Sequence, residues 1–502
     1  MISLKGNALT KIDRTSAEYK ALQVFHDRLK TKDSTIWGPD AQAEAAIRLN
    51  WIDLPESSRE LLPQFDALAA KHRDKEHVIL CGMGGSSLGP EVIAQTFSKK
   101  LFVLDSTDPD YVAHALKFNL AKSVVVVSSK SGSTIETASQ RALFEGAFKD
   151  AGLNPIDHMV FVTDPGSPLD KQVREGGFTV VNADPNVGGR FSVLSPFGLV
   201  PAALIGVDVS VLLDNASDTK KAFFADSQQM CDIAYLLTYA SGQYVAYTDE
   251  ASGMPGLSDW IEQLVAESTG KEGKGVLPVI ESKRSKNSDA IRIVFTPSSG
   301  ENQKNDVYLN TSLGGQFLFW EWTTALLCNL IDVNPFDQPN VTLAKERANS
   351  VLAAKQYSVL PIKNSETPAL LKSFVSNIAP SGYLGILAFL PRSFELQVDE
   401  IANEFRKGID VPVTIGWGPR YLHSTGQFHK GGTPTGSFLI LTHEVEIDLE
   451  VPEQDYSFAQ LQKAQALGDI AALNENKLNL LHLPLTNELT LTKINQALRE
   501  VF

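Results

Sequence analysis

The stretch Val124-Val125-Val126-Val127-Ser128-Ser129-Lys130-Ser131-Gly132-Ser133-Thr134-Ile135-Glu136-Thr137 decides the fold of this chain. Its run of valines predicts a parallel strand buried on both faces, because both faces of such a strand must be apolar. Hydroxyl side chains, one lysine and one glycine follow, and the residues from Ile135 onward can form a helix. The N–H groups of a first helical turn and the positive end of the helix dipole would face the loop. The stretch therefore predicts a loop that binds a phosphate or a similar anion.

Other short apolar segments resemble this strand. They lie at 77–81, 101–104, 159–163 and 179–181, with helical segments between them, and again at 290–295, 384–390 and 438–441. Strands that alternate with helices in this way are typical of an open parallel sheet with helices on both faces. We therefore expect an α/β protein with two doubly wound, mainly parallel sheets.

The domain organisation follows from the same pattern. Residues 1–52 are predicted to be a helical N-terminal segment, and residues 53–210 a first sheet domain that carries the anion-binding loop. Residues 211–452 are predicted to form a second α/β domain, and residues 453–502 a helical C-terminal tail. The helices of the first and last segments are expected to pack on the outside.

The composition excludes several classes of function. A net charge of -14 argues against non-specific binding to nucleic acid and to anionic membranes. The longest apolar stretch worth testing as a membrane span, 197–207, is far shorter than the roughly 20 residues that a spanning helix needs. Three widely spaced cysteines form neither a disulfide framework nor a zinc cluster, so we expect reduced thiols, a cytoplasmic location and no metal.

A second candidate ligand loop follows the strand at 77–81. Its sequence, GMGGSSLG at 82–89, fails the G-x-G-x-x-G spacing because position 87 is a serine. The glycines could let the backbone at Gly85 and Ser86 approach an anion or a sugar, or they could only permit a tight turn from strand to helix. No P-loop spacing is present, and no nucleotide cofactor is expected.

Three further side chains could contribute charge or proton transfer. Arg190 follows a glycine pair and could hold an anion or a developing oxyanion, or pair with a structural carboxylate. Gln263 and Glu267 would lie on one face of a helix that breaks at Gly270. A carboxylate at a helix end that faces a cleft can abstract a proton, although such a residue is more often simply solvated.

Later segments add an amide, a lysine and two histidines. Gln338 and Lys345 could both face a cleft, and Lys345 considered alone would be a surface lysine. His423 and His429 lie in a glycine-containing loop, where either could be an acid–base group or a structural residue. Their spacing gives only weak support for a metal pair, since no recognised metal-binding motif accompanies them.

Together these segments resemble the phosphoglucose isomerase family, whose members are built from two sugar-isomerase (SIS) domains. The matching segments appear in the family's order and are GMGGSSLGP at 82–90, SSKSGSTIET at 128–137, GGRFS at 188–192, ESTGK at 267–271 and NPFDQPNVTLAK at 334–345. The spacings from Gln263 to Glu267 and from Gln338 to Lys345 also match. The resemblance implies reversible isomerisation of glucose 6-phosphate and fructose 6-phosphate through a cis-enediolate.

The resemblance also implies a role for each candidate residue. Glu267 would move the proton between C1 and C2, and Arg190 would stabilise the oxyanion. His423 and Lys345 would open the sugar ring. The remaining residues would bind the substrate, and they are Gly85, Ser86, Ser129, Lys130, Ser131, Thr134, Gln263 and Gln338. A homodimer is compatible with the family pattern.

The isomerase portion of the bifunctional transaldolase/glucose-6-phosphate isomerase proteins is the most similar subtype. Segments DSTIWGP at 33–39, RLNWIDLPE at 48–56 and SFAQLQKAQALGD at 457–469 resemble it. About 50 residues precede the first sheet domain, which leaves no room here for a transaldolase barrel. We therefore expect no transaldolase activity.

The order of the histidine motif departs from that of ordinary family members. In those members the motif lies between the glutamate and the lysine and reaches the site of a partner chain, whereas LHSTGQ at 422–427 follows Lys345. The sequence therefore leaves open whether His423 or His429 acts, and in which chain's site. It also leaves open an isomerase of another C6-anionic sugar, or a non-catalytic module that binds sugar phosphates.

Overall fold

The computed structural model describes residues 2–240, 244–281, 290–297, 304–445 and 447–502. Its strands, numbered in chain order, are β1 (Ser3–Lys5), β2 (His77–Gly82), β3 (Phe102–Leu104), β4 (Ser123–Ser128), β5 (Met159–Thr163), β6 (Thr179–Asn182), β7 (Tyr244–Asp249), β8 (Leu277–Ile280), β9 (Arg292–Phe295), β10 (Asp306–Asn310), β11 (Tyr383–Phe389), β12 (Val413–Trp417), β13 (Gly436–His443) and β14 (Asn479–Leu485).

The helices connect and cover these strands. They are α1 (Ala17–Lys30), α2 (Pro39–Arg48), α3 (Leu54–Ser57), α4 (Leu62–Lys71), α5 (Leu88–Thr96), α6 (Pro109–Leu116), α7 (Ile135–Asp150), α8 (Pro168–Glu175), α9 (Pro196–Leu204), α10 (Val209–Ala225), α11 (Gln228–Thr238), α12 (Leu257–Thr269), α13 (Leu313–Leu330), α14 (Pro339–Ala354), α15 (Thr367–Ser376), α16 (Glu395–Gly408), α17 (Gly426–Gly431), α18 (Phe458–Glu475) and α19 (Leu491–Val501). In the part of the chain that the structure describes, no helix is both long and apolar enough to cross a membrane.

The first sheet forms around the valine run. Its strand order is β3-β2-β4-β5-β6, and every neighbouring pair is parallel. Val124 and Val126 belong to one hydrophobic cluster, whereas Val125 and Val127 belong to another on the opposite face. Because successive side chains of a strand point to opposite faces, the uninterrupted valines fill both cores. The predicted buried parallel strand is therefore confirmed.

Two further sheets lie in the rest of the chain, where we expected one. The second has the order β1-β10-β9-β7-β8, and all its pairs are parallel except β1 with β10. The third has the order β12-β11-β13-β14 and is wholly parallel. The α/β class with mainly parallel sheets flanked by helices is confirmed, but the expected number of sheets is wrong. Apolar runs identify strands, whereas long crossover connections decide which strands pair.

The terminal segments also contribute to sheets. The N-terminal segment supplies β1, and the region predicted as a helical tail supplies β14 between α18 and α19. Strand β14 contains Pro484 and lies at the edge of the third sheet. Proline cannot donate to a strand ladder and is tolerated at an edge, so this segment lacked the usual pattern of a strand. The proposed boundaries between domains stay a prediction.

Helices α14 and α18 cross at close range beside the third sheet. A Cβ atom added at Gly468 of α18 would lie 2.6 Å from the backbone nitrogen of Ala348 in α14. The absence of a side chain at this position therefore sets the distance between the two helices. This crossing matters for the site described below, because α14 borders its cleft and α18 packs against α14.

Replacing Gly468 with alanine should lower stability. The added methyl group forces α14 and α18 apart, and such overpacking costs about 1–3 kcal/mol, which outweighs the gain in helix propensity of roughly 1 kcal/mol. Thermal unfolding followed by calorimetry would measure the loss. Gly146→Ala is the matched control in α7, because its new Cβ would meet only Pro452 at 3.8 Å and should leave stability unchanged or raised. Equal melting temperatures for the two variants would contradict this account of the crossing.

Three buried histidines and one half-buried histidine are held as neutral groups. Burial lowers the pKa of His26, His72 and His482 to about 4, and it lowers the pKa of His429 to about 3. In the unfolded chain the same groups have pKa values of about 6.5. Between these two values the unfolded chain binds protons that the folded protein does not bind. The contribution of these groups to the free energy of unfolding is therefore greatest above about pH 6.5, and it decreases as the pH falls toward 4.

Substitution of His429 by glutamine should flatten this pH dependence. The slope of unfolding free energy against pH, measured by urea unfolding between pH 4.5 and 6.5, should decrease by up to about 1.4 kcal/mol per pH unit. His114→Gln is the control, because His114 is exposed and should not contribute to the slope. An unchanged slope in the His429 variant would show that this histidine is not held neutral by burial.

Candidate active site

A cleft of about 440 Å³ opens where β2 and β4 end. These strands are neighbours, with Gly82 paired to Ser128, and β3 lies on the other side of β2. The two loops therefore diverge at a switch in strand order, which is where open α/β sheets bind ligands. All the predicted site residues line this one cleft, and they are Gly85, Ser86, Ser129, Lys130, Ser131, Thr134, Arg190, Gln263, Glu267, Gln338, Lys345 and His423.

The hydroxyl-rich loop forms one wall of the cleft. Ser129 is held by its backbone N–H to Val162, and its Oγ accepts the N–H of Gly132 at 3.1 Å. This arrangement leaves the Ser129 O–H free to donate. Thr134 precedes α7, and its side chain does not cap the helix. The first-turn N–H groups of α7 lack partners within the helix, so they add donors at this wall.

The Lys130 side chain contacts neighbouring residues at the edge of the cleft. Its amine donates to Asp164 at 3.1 Å and to the carbonyl of Val187 at 2.8 Å. Burial lowers the pKa of this amine, while the nearby Asp164 favours its charged form. The side chain therefore ties the loop to its neighbours, and the predicted role of Lys130 in binding substrate stays a prediction.

Two hydroxyl groups that sequence reasoning did not single out also border the cleft. Ser128 and Thr137 line it, and both residues are almost completely buried. Neither Ser128 Oγ nor Thr137 Oγ1 has a hydrogen-bond partner among the described residues. Buried hydroxyl groups normally form hydrogen bonds. Two buried hydroxyls without a partner beside an anion-binding loop are therefore suited to donate hydrogen bonds to a bound ligand. Both residues belong to the opening stretch, but the sequence could not show which of its hydroxyls face inward.

The glycine loop packs against the loop that carries Arg190. A Cβ atom at Gly85 would lie 2.0 Å from the carbonyl oxygen of Gly189, so no larger residue fits there. At Gly84, whose φ is +56°, a Cβ atom would lie 2.8 Å from both Gln263 Nε2 and the His423 carbonyl oxygen. The glycines thus serve close packing between loops, while their backbone still forms part of the cleft wall.

Arg190 occupies the centre of the site and is 6% exposed. Its Nη1 donates to the carbonyl oxygens of Glu267 at 3.1 Å and Pro335 at 2.9 Å, and its Nη2 donates to those of Phe336 and Asp337. Its Nε lies 3.6 Å from Glu267 Oε2. One guanidinium therefore joins the end of α12 to the segment before α14 and presents a positive charge beside the Glu267 carboxylate.

Lys271 reinforces the same junction, and no role was assigned to it from the sequence. Its amine donates to the carbonyl oxygens of Asn334 and Asp337 at 2.6 and 2.7 Å, and to Asp337 Oδ1 at 2.6 Å. Burial and the neighbouring Arg190 lower the pKa of this amine. Lys271 is the last residue of the ESTGK motif, so the sequence placed it near the site. The sequence could not show that its amine joins α12 to the segment before α14.

Gln263 and Glu267 lie on one face of α12, as predicted. Gln263 Nε2 donates to Glu267 Oε2 at 3.1 Å and to the carbonyl oxygen of His423 at 2.9 Å. Both side chains are nearly buried. The amide therefore fixes the carboxylate and the histidine loop relative to each other.

His423 reaches this cleft from the same chain. It ends a short 3-10 turn, Arg420–His423, that follows β12 of the third sheet. Its Nε2 donates to Glu136 Oε1 at 2.8 Å. Burial opposes the negative charge of Glu136, but His423 and Lys345 outweigh that effect and hold the pKa of Glu136 below its ordinary value. Glu136 is a further site residue that sequence reasoning quoted but did not assign.

His429 does not line the cleft. It is buried, its Nδ1 lies 2.8 Å from the Tyr383 hydroxyl, and it packs against the Tyr383 and Phe438 rings. Of the two histidines that the sequence left open, His423 is therefore the one placed beside the other candidates. Across the described ranges, no group of three or more His, Cys, Asp or Glu side chains is arranged to hold a metal ion.

Gln338 and Lys345 lie at the open side of the cleft, at the start of α14. Both side chains are exposed. The start of α14 is fixed by Gln427, whose Oε1 accepts the Asn340 N–H at 3.0 Å and whose Nε2 donates to the Gly270 carbonyl oxygen at 2.9 Å. The loop that carries His423 (residues 420–430, the histidine loop) is thereby joined to α14, the helix that carries Lys345 (the lysine helix).

Comparison with protein families finds one family that matches part of the chain. The model of the family described as phosphoglucose isomerase matches residues 69–304. A probable glucose-6-phosphate isomerase of Haloarcula marismortui is 33% identical over 41% of this chain and 49% of its own length. The glucose-6-phosphate isomerase of a Cyanothece species is 26% identical over 71% of this chain and 84% of its own length. The chain thus spans about half of the first relative and most of the second.

Solved structures support the fold. A hypothetical protein from Thermus thermophilus aligns over 70% of this chain and 100% of its own, with a TM-score of 0.60 and 25% identity. A glucose-6-phosphate isomerase from Chlamydia trachomatis aligns over 75% of this chain and 92% of its own, with a TM-score of 0.56 and 19% identity. With the ordered motifs meeting in one cleft, these matches show that residues 69–304 are similar to the phosphoglucose isomerase family and that the chain shares the fold of these solved structures.

Proposed function

We propose that the protein interconverts glucose 6-phosphate and fructose 6-phosphate, a step of glycolysis and gluconeogenesis. The observation that carries this proposal is the convergence of an anion-binding wall, Glu267 with Arg190, and His423 with Lys345 on one cleft. An aldose–ketose isomerase needs these three functions together. A module that only binds sugar phosphates needs the first alone.

The anion wall would hold the 6-phosphate. Ser129 and Thr134 offer hydroxyls, and the start of α7 offers N–H groups and the positive end of its dipole. Ser131 and Ser133 lie 2.6 Å apart, so at most one of these two hydroxyl protons lies between them and the other can point outward. The phosphate is thereby bound without a metal and without a positively charged protein surface.

Ring opening would fall to His423 and Lys345. An imidazole that donates through Nε2 to Glu136 keeps its second nitrogen for proton exchange with the sugar. Protonating the ring oxygen while the C1 hydroxyl gives up its proton breaks the bond between the ring oxygen and C1 and leaves the open-chain aldehyde. Lys345 lies on the same side of the cleft and can assist this proton movement.

Glu267 would then move a proton between carbons. It removes the C2 proton to leave an enediolate with negative charge on O1, a proton passes from the O2 hydroxyl to O1, and Glu267 returns its proton to C1 to give the ketose. Charge grows on the substrate oxygen during this step, and the Arg190 guanidinium beside Glu267 can stabilise it. No electrons leave the sugar, so the reaction is balanced without a cofactor.

The partner and location expectations follow from this proposal. The substrate is a small sugar phosphate, and glycolytic chemistry places the protein in the cytoplasm. A homodimer stays possible, but a second copy is not needed to complete this cleft, because His423 is supplied by the same chain.

Substituting Glu267 with glutamine should reduce kcat at least about 100-fold, because the amide cannot accept the C2 proton. A coupled assay with fructose 6-phosphate, without added metal, would measure this loss. The control is Glu262→Gln on the same helix, since Glu262 does not line the cleft and should keep its activity. Full turnover in the Glu267 variant would remove this residue from the role of base.

Replacing Ser129 and Thr134 together with alanine should mainly raise KM, because donors to the 6-phosphate are lost while the groups that transfer protons stay in place. Steady-state kinetics with fructose 6-phosphate, compared with binding of inorganic phosphate, would separate this effect from a loss of kcat.

Ser139→Ala is the matched control for this pair. Ser139 lies on α7, outside the cleft, where its hydroxyl is 3.3 Å from that of Tyr456. If the double variant has the same KM as the control, the loop does not bind the 6-phosphate through these two hydroxyls.

A further inference from the structure

Helix α18 contacts residues around His423 through two side chains that lie one turn apart. Gln465 and Asp469 are four residues apart and therefore share one face of the helix. Both are buried, with exposed fractions of 4% and 0%. The sequence assigned this helix to an outer tail and gave it no part in the site.

Gln465 lies in a chain of hydrogen bonds that ends at His423. Its Oε1 accepts the hydroxyl of Thr107 at 2.8 Å, and its Nε2 donates to Glu136 Oε1 at 2.7 Å. The same Glu136 oxygen accepts the Nε2–H of His423 at 2.8 Å. Thr107 fixes which end of the Gln465 amide faces the carboxylate, because a hydroxyl that donates must meet the amide oxygen. The amide in turn fixes the Glu136 carboxylate.

Asp469 holds the histidine loop on both sides of His423. Its Oδ2 accepts the hydroxyl of Tyr421, and its Oδ1 accepts the amine of Lys430, each at 2.6 Å. Tyr421 precedes His423 by two residues, and Lys430 follows it by seven. Asp469, Lys430 and the Tyr421 hydroxyl are buried together, and breaking either contact would leave a buried charged or polar group without a partner. These contacts therefore keep the loop in one position.

We propose that α18 positions the ring-opening histidine, with Gln465 as a positioning residue that acts on His423 through Glu136. The inference rests on the proposed isomerase function. It assigns to the C-terminal segment a part in ring opening, although no residue of α18 lines the cleft itself. Without Gln465, the carboxylate loses one of two donors and is free to turn, and the imidazole turns with it.

Kinetics of Gln465→Leu would test this. Leucine keeps the approximate size but cannot donate, so kcat for glucose 6-phosphate should fall about tenfold or more, because a small misplacement of a proton donor is costly. KM should change less than twofold, since the phosphate wall is untouched. The charged groups that line the two pockets beside His423 include Glu136, Lys345 and Lys430, and in the cleft also Arg190 and Glu267. With one donor lost, the Glu136 carboxylate stabilises a positive charge on the imidazole more strongly, so the pH profile of kcat should move to higher pH.

Gln462→Leu is the matched control. Gln462 lies on the same helix, is equally buried, and donates to Asp108 instead of Glu136. It should lose a similar amount of thermal stability while keeping its kcat and pH profile. Gln465→Glu serves as a second variant that keeps the size and polarity of the side chain. The new carboxylate would face Glu136 directly. This variant should therefore also move the pH profile of kcat to higher pH.

The outcomes are distinguishable. A wild-type protein without isomerase activity overturns the proposed function itself. An active wild type, with Gln465 and Gln462 variants that lose kcat equally and keep the wild-type pH profile, overturns only the positioning role of Gln465. A loss of kcat with a shifted pH profile in both Gln465 variants, but not in the Gln462 variant, supports it.

Discussion

The site depends on the buried Arg190 guanidinium. A cation removed from water must replace its hydration with other polar groups, and Arg190 does so with backbone carbonyls from two distant segments and with Glu267. Those carbonyls cannot move away without leaving a buried charge unsatisfied. The end of α12 and the segment before α14 are therefore held at the edge of the first sheet. The positions of the Glu267 carboxylate and of α14, which carries Lys345, follow from that constraint.

The sequence predicted the fold best where burial dictates the residue type. The valines of β4 must be apolar on both faces, so their pattern alone identified a central parallel strand. Strand β14 was missed, because an edge strand can contain Pro484 and half-polar positions. The division of the second half into two sheets was missed for another reason. Which strands pair depends on how long crossovers pack, and this information is not local in the sequence.

The motifs predicted which segments meet in the cleft, whereas the roles of the individual residues stay a prediction. Every candidate residue lines the cleft, because a motif keeps its residues together wherever the chain takes them. The direction of a side chain depends on its neighbours, so the sequence could not show that the Lys130 amine donates to Asp164 and to the Val187 carbonyl. Glu136 and Gln465 gained importance only through contacts across more than 280 residues of chain. Such contacts follow from tertiary packing and leave no trace in local spacing.

The unusual order of the motifs is resolved by geometry. A proton donor needs to lie within reach of the sugar ring, and its position along the chain has no direct effect on chemistry. The third sheet brings the chain back to the cleft after α14, so His423 arrives beside Lys345 although it follows that residue in sequence. Helix α18 holds both the loop that carries His423 and its carboxylate partner, so the support for this histidine comes from the same chain. The order of the motifs along the chain therefore does not prevent the candidate residues from meeting in one cleft.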